Sequence, residues 1–237
     1  MRLVAISDTH GRVADLELPA GDVLVHAGDA TMGGTLDEVE SFSRWFSARP
    51  HRHKVFVAGN HDRLFQLHRD LAQRILGPAI TYLRDSPAII EGIMFYGSPW
   101  TPWFNDWAFN LERGVQIRER WDRIPYSTEV LVTHGPPAGV LDRTGPGKPS
   151  KGCEDLGRRL NVVKPRLHLF GHIHGGHGVE VRAHTTFGNA SVCDEEYRPV
   201  NQPLCFDRLA DGGWARVEVR RSVRYWEDVW PGNREEP

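Results

Sequence analysis

The sequence predicts an α/β fold. Three observations carry that prediction: short apolar runs alternate with stretches of helical period, the switches fall on Gly, Pro or Asp, and short strand-like segments dominate the region after Val179. With 237 residues, 40% hydrophobic and 25% charged, the chain can bury a sizeable core and fill one large domain.

Taken in order, residues 2–7 read as a strand, as do Asp22 to Ala27 and Lys54 to Ala58. Thr35 to Ala48 reads as a helix, because Leu36, Val39, Phe42 and Phe46 fall near helical spacing. Leu64, His68, Leu71 and Ile75 mark a second helix that stops at Gly77-Pro78, and two or three short strands follow between Ile80 and Gly97. Leu111 to Arg123 is expected to be helical, Glu129 to Thr133 a strand, Cys153 to Val163 a helix and Arg166 to Phe170 a strand. Strand-like segments follow from Val179 onward, including Cys205 to Leu209 and Trp214 to Val219, and end in a polar tail. The expected organisation is one domain over 1–226 with a loose tail over 227–237.

Composition narrows the functional classes. Lys plus Arg is 29 and Asp plus Glu is 31, a net charge of -2, so no electrostatic footprint for a long nucleic acid is present. No apolar run approaches the ~20 residues that span a bilayer. The apolar part of Met1 to Ser7 is too short for a signal peptide. Cys153, Cys193 and Cys205 form no CxxC pair, which argues against a disulfide framework and a thiolate zinc site. A cytoplasmic protein that contacts no membrane is the expectation, with a homo-oligomer left open.

The chemistry concentrates at strand ends, where open α/β sheets gather ligands. Five of the expected strands run into polar clusters: Asp8-Thr9-His10, Gly28-Asp29, Gly59-Asn60-His61-Asp62, His134-Gly135 and Gly171-His172-Ile173-His174. Singly, each has an ordinary structural reading as an Asx turn or a core histidine. Together, in the order D-x-H, G-D, G-N-H-D, H-G, G-H-x-H, they resemble the calcineurin-like metallophosphoesterase superfamily. The stretch from Thr133 to Pro137, Lys151 to Leu156, and Lys164 to His174 is similar to its small metallophosphoesterase domain-containing branch, whose members are regarded as cyclic-nucleotide phosphodiesterases.

That resemblance implies a four-layer sandwich, in which two mixed β-sheets pack face to face with helices on both outer faces. It also implies two divalent metal ions. Asp8, His10, Asp29 and His174 would hold the first, and Asp29, Asn60, His134 and His172 the second, with Asp29 bridging. Imidazole, carboxylate and amide donors without thiolate suit manganese, the expected ion, with iron, zinc, nickel and magnesium as alternatives. Two such ions bring four positive charges. Asp8, Asp29 and a bridging hydroxide return three, leaving about one positive charge for a phosphodiester's single negative one.

The expected reaction is attack of that hydroxide on phosphorus, with His61 as general acid and Asp62 fixing its tautomer. The expected substrate is a small phosphoester, a cyclic nucleotide first. A phosphomonoesterase or nucleotidase is the alternative within enzymes, and a catalytically silent metal-binding scaffold the alternative from another class. Phosphoprotein phosphatases carry an Arg soon after the G-D motif. Gly28 to Gly34 has none, which favours diesters, although Arg143, Lys148 or Lys151 could supply charge. Tyr96 to Trp107 holds three Trp, a Tyr and a Phe, with two readings: a nucleobase stack, or a hydrophobic plug or subunit contact.

Overall fold

Side chains alternate along the strands, and that alternation sorts the core into layers. In the computed structural model, which describes residues 1–14 and 16–218, β1 (Arg2–Ile6) turns Leu3 and Ala5 into one apolar cluster and Val4 and Ile6 into another. β1 is followed by β2 (Val23–His26), β3 (His53–Phe56) and β4 (Thr81–Tyr82), which run parallel to it and to one another. Near the end of the described chain, β13 (Leu204–Arg208) and β14 (Trp214–Val217) complete this sheet in the order β14-β13-β1-β2-β3-β4.

The second sheet is built from β5 (Ser86–Ile90), β6 (Ile93–Ser98), β9 (Val130–Thr133), β10 (Leu167–Phe170), β11 (Gly178–Arg182) and β12 (Thr185–Asn189). Its order is β11-β12-β10-β9-β6-β5, with β12, β10, β9 and β6 mutually parallel and both edges antiparallel. Leu3, Ala5, Val23, Val25 and Val55 of one sheet meet Phe95, Val130, Val132, Leu167 and Leu169 of the other in a single buried cluster. This is the layer between the two sheets.

The outer faces are covered by helices. α1 (Leu36–Ser47) places Val39, Phe42 and Phe46 with Val4, Leu24 and Phe56, joined by Ala72 and Leu76 of α3 (Arg69–Leu76). α4 (Val115–Trp121) and α5 (Glu154–Val163) cover the second sheet with Ile117, Trp121, Leu156 and Leu160. The architecture is the two-sheet sandwich with helices outside. Among the described residues, no helix is long and apolar enough to cross a membrane.

Three elements differ from the expectation. The helix expected through Leu64 to Ile75 is split into α2 (Arg63–Leu67) and α3 at His68, whose φ of -134° and ψ of 57° lie outside the helical basin. The helix expected from Leu111 starts only at Val115, because Gly114 has φ 87°, and β8 (Asn110–Leu111) pairs instead with β7 (Thr101–Pro102). A 3₁₀ turn, His174–Gly176, follows β10. The expected tail over 227–237 and the strand end at Val219 lie outside the described residues.

Candidate metal centre

β1, β2 and β3 are parallel in one sheet, and β9 and β10 in the other, so their carboxyl ends bring Asp8, His10, Asp29, Asn60, His61, His134, His172 and His174 together. All but His172 are buried. Their backbone is unusual. Of twelve non-glycine residues with positive φ among those described, Asp8, His10, Asp29 and His172 are four. Such conformations cost of order 1–3 kcal/mol each and collect at functional sites. Backbone bonds between the loops hold them, including Asp8 N–H to the Gly28 carbonyl at 2.8 Å and Gly171 N–H to the His134 carbonyl at 2.8 Å.

The hydrogen bonds of the imidazoles fix which ring nitrogens face one another. Nδ1 of His134 bonds the Ala27 carbonyl at 3.0 Å, Nδ1 of His174 the Asp194 carbonyl at 2.7 Å, and Nδ1 of His61 the Met32 carbonyl at 2.7 Å. A carbonyl only accepts, so each Nδ1 carries the hydrogen and each Nε2 can present a lone pair. Those Nε2 atoms face further acceptors. His134 Nε2 lies 2.8 Å from Asn60 Oδ1 and 3.3 Å from Asp29 Oδ2. His174 Nε2 lies 3.5 Å from Asp8 Oδ1 and 3.4 Å from His10 Nε2. Carboxylate, amide oxygen and imidazole nitrogen atoms that converge in this way suit a cation between them. Ligands ~2.0–2.2 Å from a common ion sit about 2.8–3.6 Å apart, so this donor set fits divalent metal.

The electrostatics agree. Burial alone would keep His134 neutral, but Asp29 beside it raises its pKa to about 9. Burial opposes charge on His174 as well, and Asp8 overrides it, again to about 9. Without metal, protons would take the place of the ions. Asp29 and Asp8 are held below the ordinary carboxylate range despite burial, Asp29 by His134, His61 and His10, and Asp8 by His174, His134 and His10. Burial leaves His10 and His172 at about 4, neutral and able to ligate.

Asp8, His10 and His174 form one group with ligand atoms within 4.8 Å of one another, and Asp29, His134 and His172 form a second. Asp29 Oδ2 also lies 3.9 Å from His10 Nε2, placing its carboxylate between the two groups. Asp29 Oδ1 accepts from the His61 backbone N–H at 2.8 Å. His61 Nε2 lies 4.0 Å from Asp29 Oδ2, and His10, Asp29 and His61 make a third group that could share an ion.

The expected link between Asp62 and the His61 ring is not formed. The Asp62 carboxylate accepts from the backbone N–H groups of Gly59, Ala30 and Thr31 and from the Thr31 hydroxyl, at 2.7–3.2 Å. It therefore ties the Asp29 loop to the Asn60 loop. The tautomer of His61 is set by the Met32 carbonyl, and Met32 N–H is in turn held by Glu38 Oε1 at 3.1 Å. Glu38 also completes the capping box with Thr35 that starts α1. A backbone carbonyl in this role leaves no trace in residue type.

The aromatic segment divides. Trp100 is buried, with its Nε1 donating to Asp85 Oδ2 at 2.8 Å, so it is structural. Trp103 and Phe104 are exposed. The Trp107 ring lies 4.0 Å from that of His61, and the Arg63 guanidinium sits 5.0 Å over Trp107. Arg143, Lys148 and Lys151 are exposed loop residues. Two neighbours were missed in the sequence: Arg63, which directly follows the G-N-H-D motif, and Tyr197, whose ring centroid lies 4.7 Å from that of His10. Arg63 could have been found from its position; Tyr197, far from every motif, could not.

The motif glycines have a physical reason. A Cβ on Gly59 would overlap Asp29 Oδ1 and approach His134 Cε1 to 2.7 Å, and one on Gly171 would overlap Asp8 Oδ2 and the Ser7 hydroxyl. The loops pack against the candidate ligands through bare backbone.

Comparison with known proteins agrees with this geometry. The chain is 42% identical over 233 residues to human metallophosphoesterase domain-containing protein 1, covering 87% of this chain and 70% of that protein. A Caenorhabditis elegans UPF0046 protein is 37% identical over 219 residues, covering 87% of this chain and 74% of that one. The solved structure of TT1561 of Thermus thermophilus superposes with a TM-score of 0.58 at 14% identity, over 79% of this chain and 88% of that one, so the likeness is one of fold. The sequence model of the calcineurin-like phosphoesterase family matches residues 1–176, the span that holds all the candidate ligands, and the chain belongs to that family.

Proposed function

We propose that this family member hydrolyses a phosphodiester at a dinuclear metal centre, with a cyclic nucleotide as the first candidate substrate. The observation that carries the reading is Asp29: its Oδ2 lies 3.3 Å from His134 Nε2 and 3.9 Å from His10 Nε2, between the two ligand groups. Asp8, His10, Asp29 and His174 would hold one ion, and Asp29, Asn60, His134 and His172 the other. Bound there, two divalent ions would lower the pKa of water toward ~7 and stabilise charge on the phosphoryl oxygens.

The chain's own residues do the rest. His61 donates its Nδ1–H to Met32, so it acts as the acid in its imidazolium form, and the proton it delivers to the leaving oxygen sits on Nε2, the nitrogen facing Asp29. Trp107 packs against the His61 ring and limits its rotation. Among the described residues, the ion-pair partners of Asp8 and Asp29 are all histidines. Gly28 to Gly34 carries no Arg to grip the second charge of a monoester, and this supports a diester. Human metallophosphoesterase domain-containing protein 1 supports the class of chemistry by its name.

Initial rates with Mn²⁺ on bis-p-nitrophenyl phosphate and p-nitrophenyl phosphate, with Asp29→Ala as blank, test the proposal. A diester preference that disappears in the variant supports it. A monoester preference would replace it with a phosphomonoesterase, and absence of turnover despite bound metal with a binding scaffold.

A further inference from the structure

Tyr197 stands outside every motif, yet its ring packs on the centre. Its centroid lies 4.7 Å from that of His10, 5.4 Å from His174 and 6.2 Å from His61, with interplanar angles of 78°, 88° and 67°. The ring thus meets two ligands and the expected acid edge-on. It is only half-buried, so part of the side chain reaches solvent.

The backbone beneath it is strained. Tyr197 has φ 60°, a conformation that bulky side chains rarely adopt. One residue holds the turn in this state. The Asp194 carboxylate accepts from Glu196 N–H at 3.1 Å, Arg198 N–H at 2.8 Å and Arg198 Nε at 2.7 Å. The Asp194 carbonyl accepts from Tyr197 N–H at 3.0 Å and from His174 Nδ1 at 2.7 Å. The strained turn and a metal ligand therefore share one anchor, and strain persists where the surroundings over-determine it and function uses it.

We infer that Tyr197 is a substrate-contacting residue whose phenol donates a hydrogen bond to a phosphoryl oxygen bound over His10 and His174, an inference that rests on the phosphoesterase reading. A ring required only for packing could be held in an ordinary conformation elsewhere on the turn. A neutral donor also suits a monoanionic diester whose charge two metal ions already offset, where a Lys or Arg would favour a dianion.

The test compares Mn²⁺-loaded wild type, Tyr197→Phe and Tyr197→Ala. It reads metal content, the affinity for inorganic phosphate by calorimetry, and KM and kcat on bis-p-nitrophenyl phosphate. Tyr197→Phe keeps the ring and should keep the metal, while phosphate affinity falls and KM rises by roughly tenfold, the loss expected for one hydrogen bond to a charged group. Phosphate affinity and KM equal to wild type in Tyr197→Phe would overturn the inference. So would metal loss in Tyr197→Ala alongside an unaffected Tyr197→Phe, which would make the ring a support for His10 and His174. A wild type that binds metal but neither binds phosphate nor turns over any phosphoester overturns the phosphoesterase reading itself, and is seen before any variant is compared.

Discussion

Asp29 presents its two carboxylate oxygens to different partners: Oδ2 lies 3.3 Å from Nε2 of His134, while Oδ1 accepts from the backbone N–H of His61 at 2.8 Å. One oxygen is left facing both ligand groups because the other is fixed by the loop that carries the expected acid.

Replacing Asp29 with Ala removes the oxygen shared by the two groups. Metal analysis after dialysis should fall from two ions per chain to one or none, with circular dichroism unchanged in the presence of Mn²⁺. Retention of two ions would remove Asp29 from the bridging role.

Gly59→Ala changes no candidate ligand, yet its Cβ would overlap Asp29 Oδ1 and press on His134. Metal affinity should drop by at least tenfold, as when supporting contacts of a metal site are lost. Gly77→Ala, at a glycine with φ 66° and open space around its Cβ position, should leave metal binding intact. Equal metal affinity in both variants would mean the loop can relax around the centre.

His61→Ala should keep both ions and lose turnover by about 10²–10⁴, most for poor leaving groups such as ribose. Loss of one ion in this variant would assign His61 to the third ligand group with His10 and Asp29. Equal losses for nitrophenyl and ribose leaving groups would remove it from the acid role.

The core histidines set an acid limit. Burial lowers His26 and His168 to about 3 in the folded chain, against the ordinary 6.5. The unfolded chain therefore binds more protons between these values. The stability contribution is complete above pH 6.5 and is lost as the pH falls toward 3, by about 1.4 kcal/mol per pH unit per histidine. His168 bonds only Thr133, and His168→Leu should reduce the slope of urea stability between pH 6 and pH 4 by about that amount. An unchanged slope would show that His168 is not buried neutral.

Much of this arrangement was legible in the sequence because both halves of the chain use the same device. A short apolar strand such as Val130–Thr133 or Leu167–Phe170 is buried on both sides, and the polar residues after it can only belong to its end. The order of those ends carried the family and, through it, the two-sheet sandwich. Backbone groups and distant partners were not legible. The Met32 carbonyl that orients His61 is invisible to residue type, and adjacency in sequence points to Asp62 instead. The break at His68 and the late start of α4 depend on backbone angles at His68 and Gly114 that periodicity does not report. Tyr197 reaches the centre through a turn anchored by Asp194, a tertiary relationship with no local pattern.

The most direct measurement is the initial rate of bis-p-nitrophenyl phosphate hydrolysis by metal-stripped protein as Mn²⁺ is added back in counted equivalents. The account predicts a rate that climbs with the second equivalent and saturates at two ions per chain. Saturation at one ion, or two tightly bound ions with no hydrolysis, would contradict it.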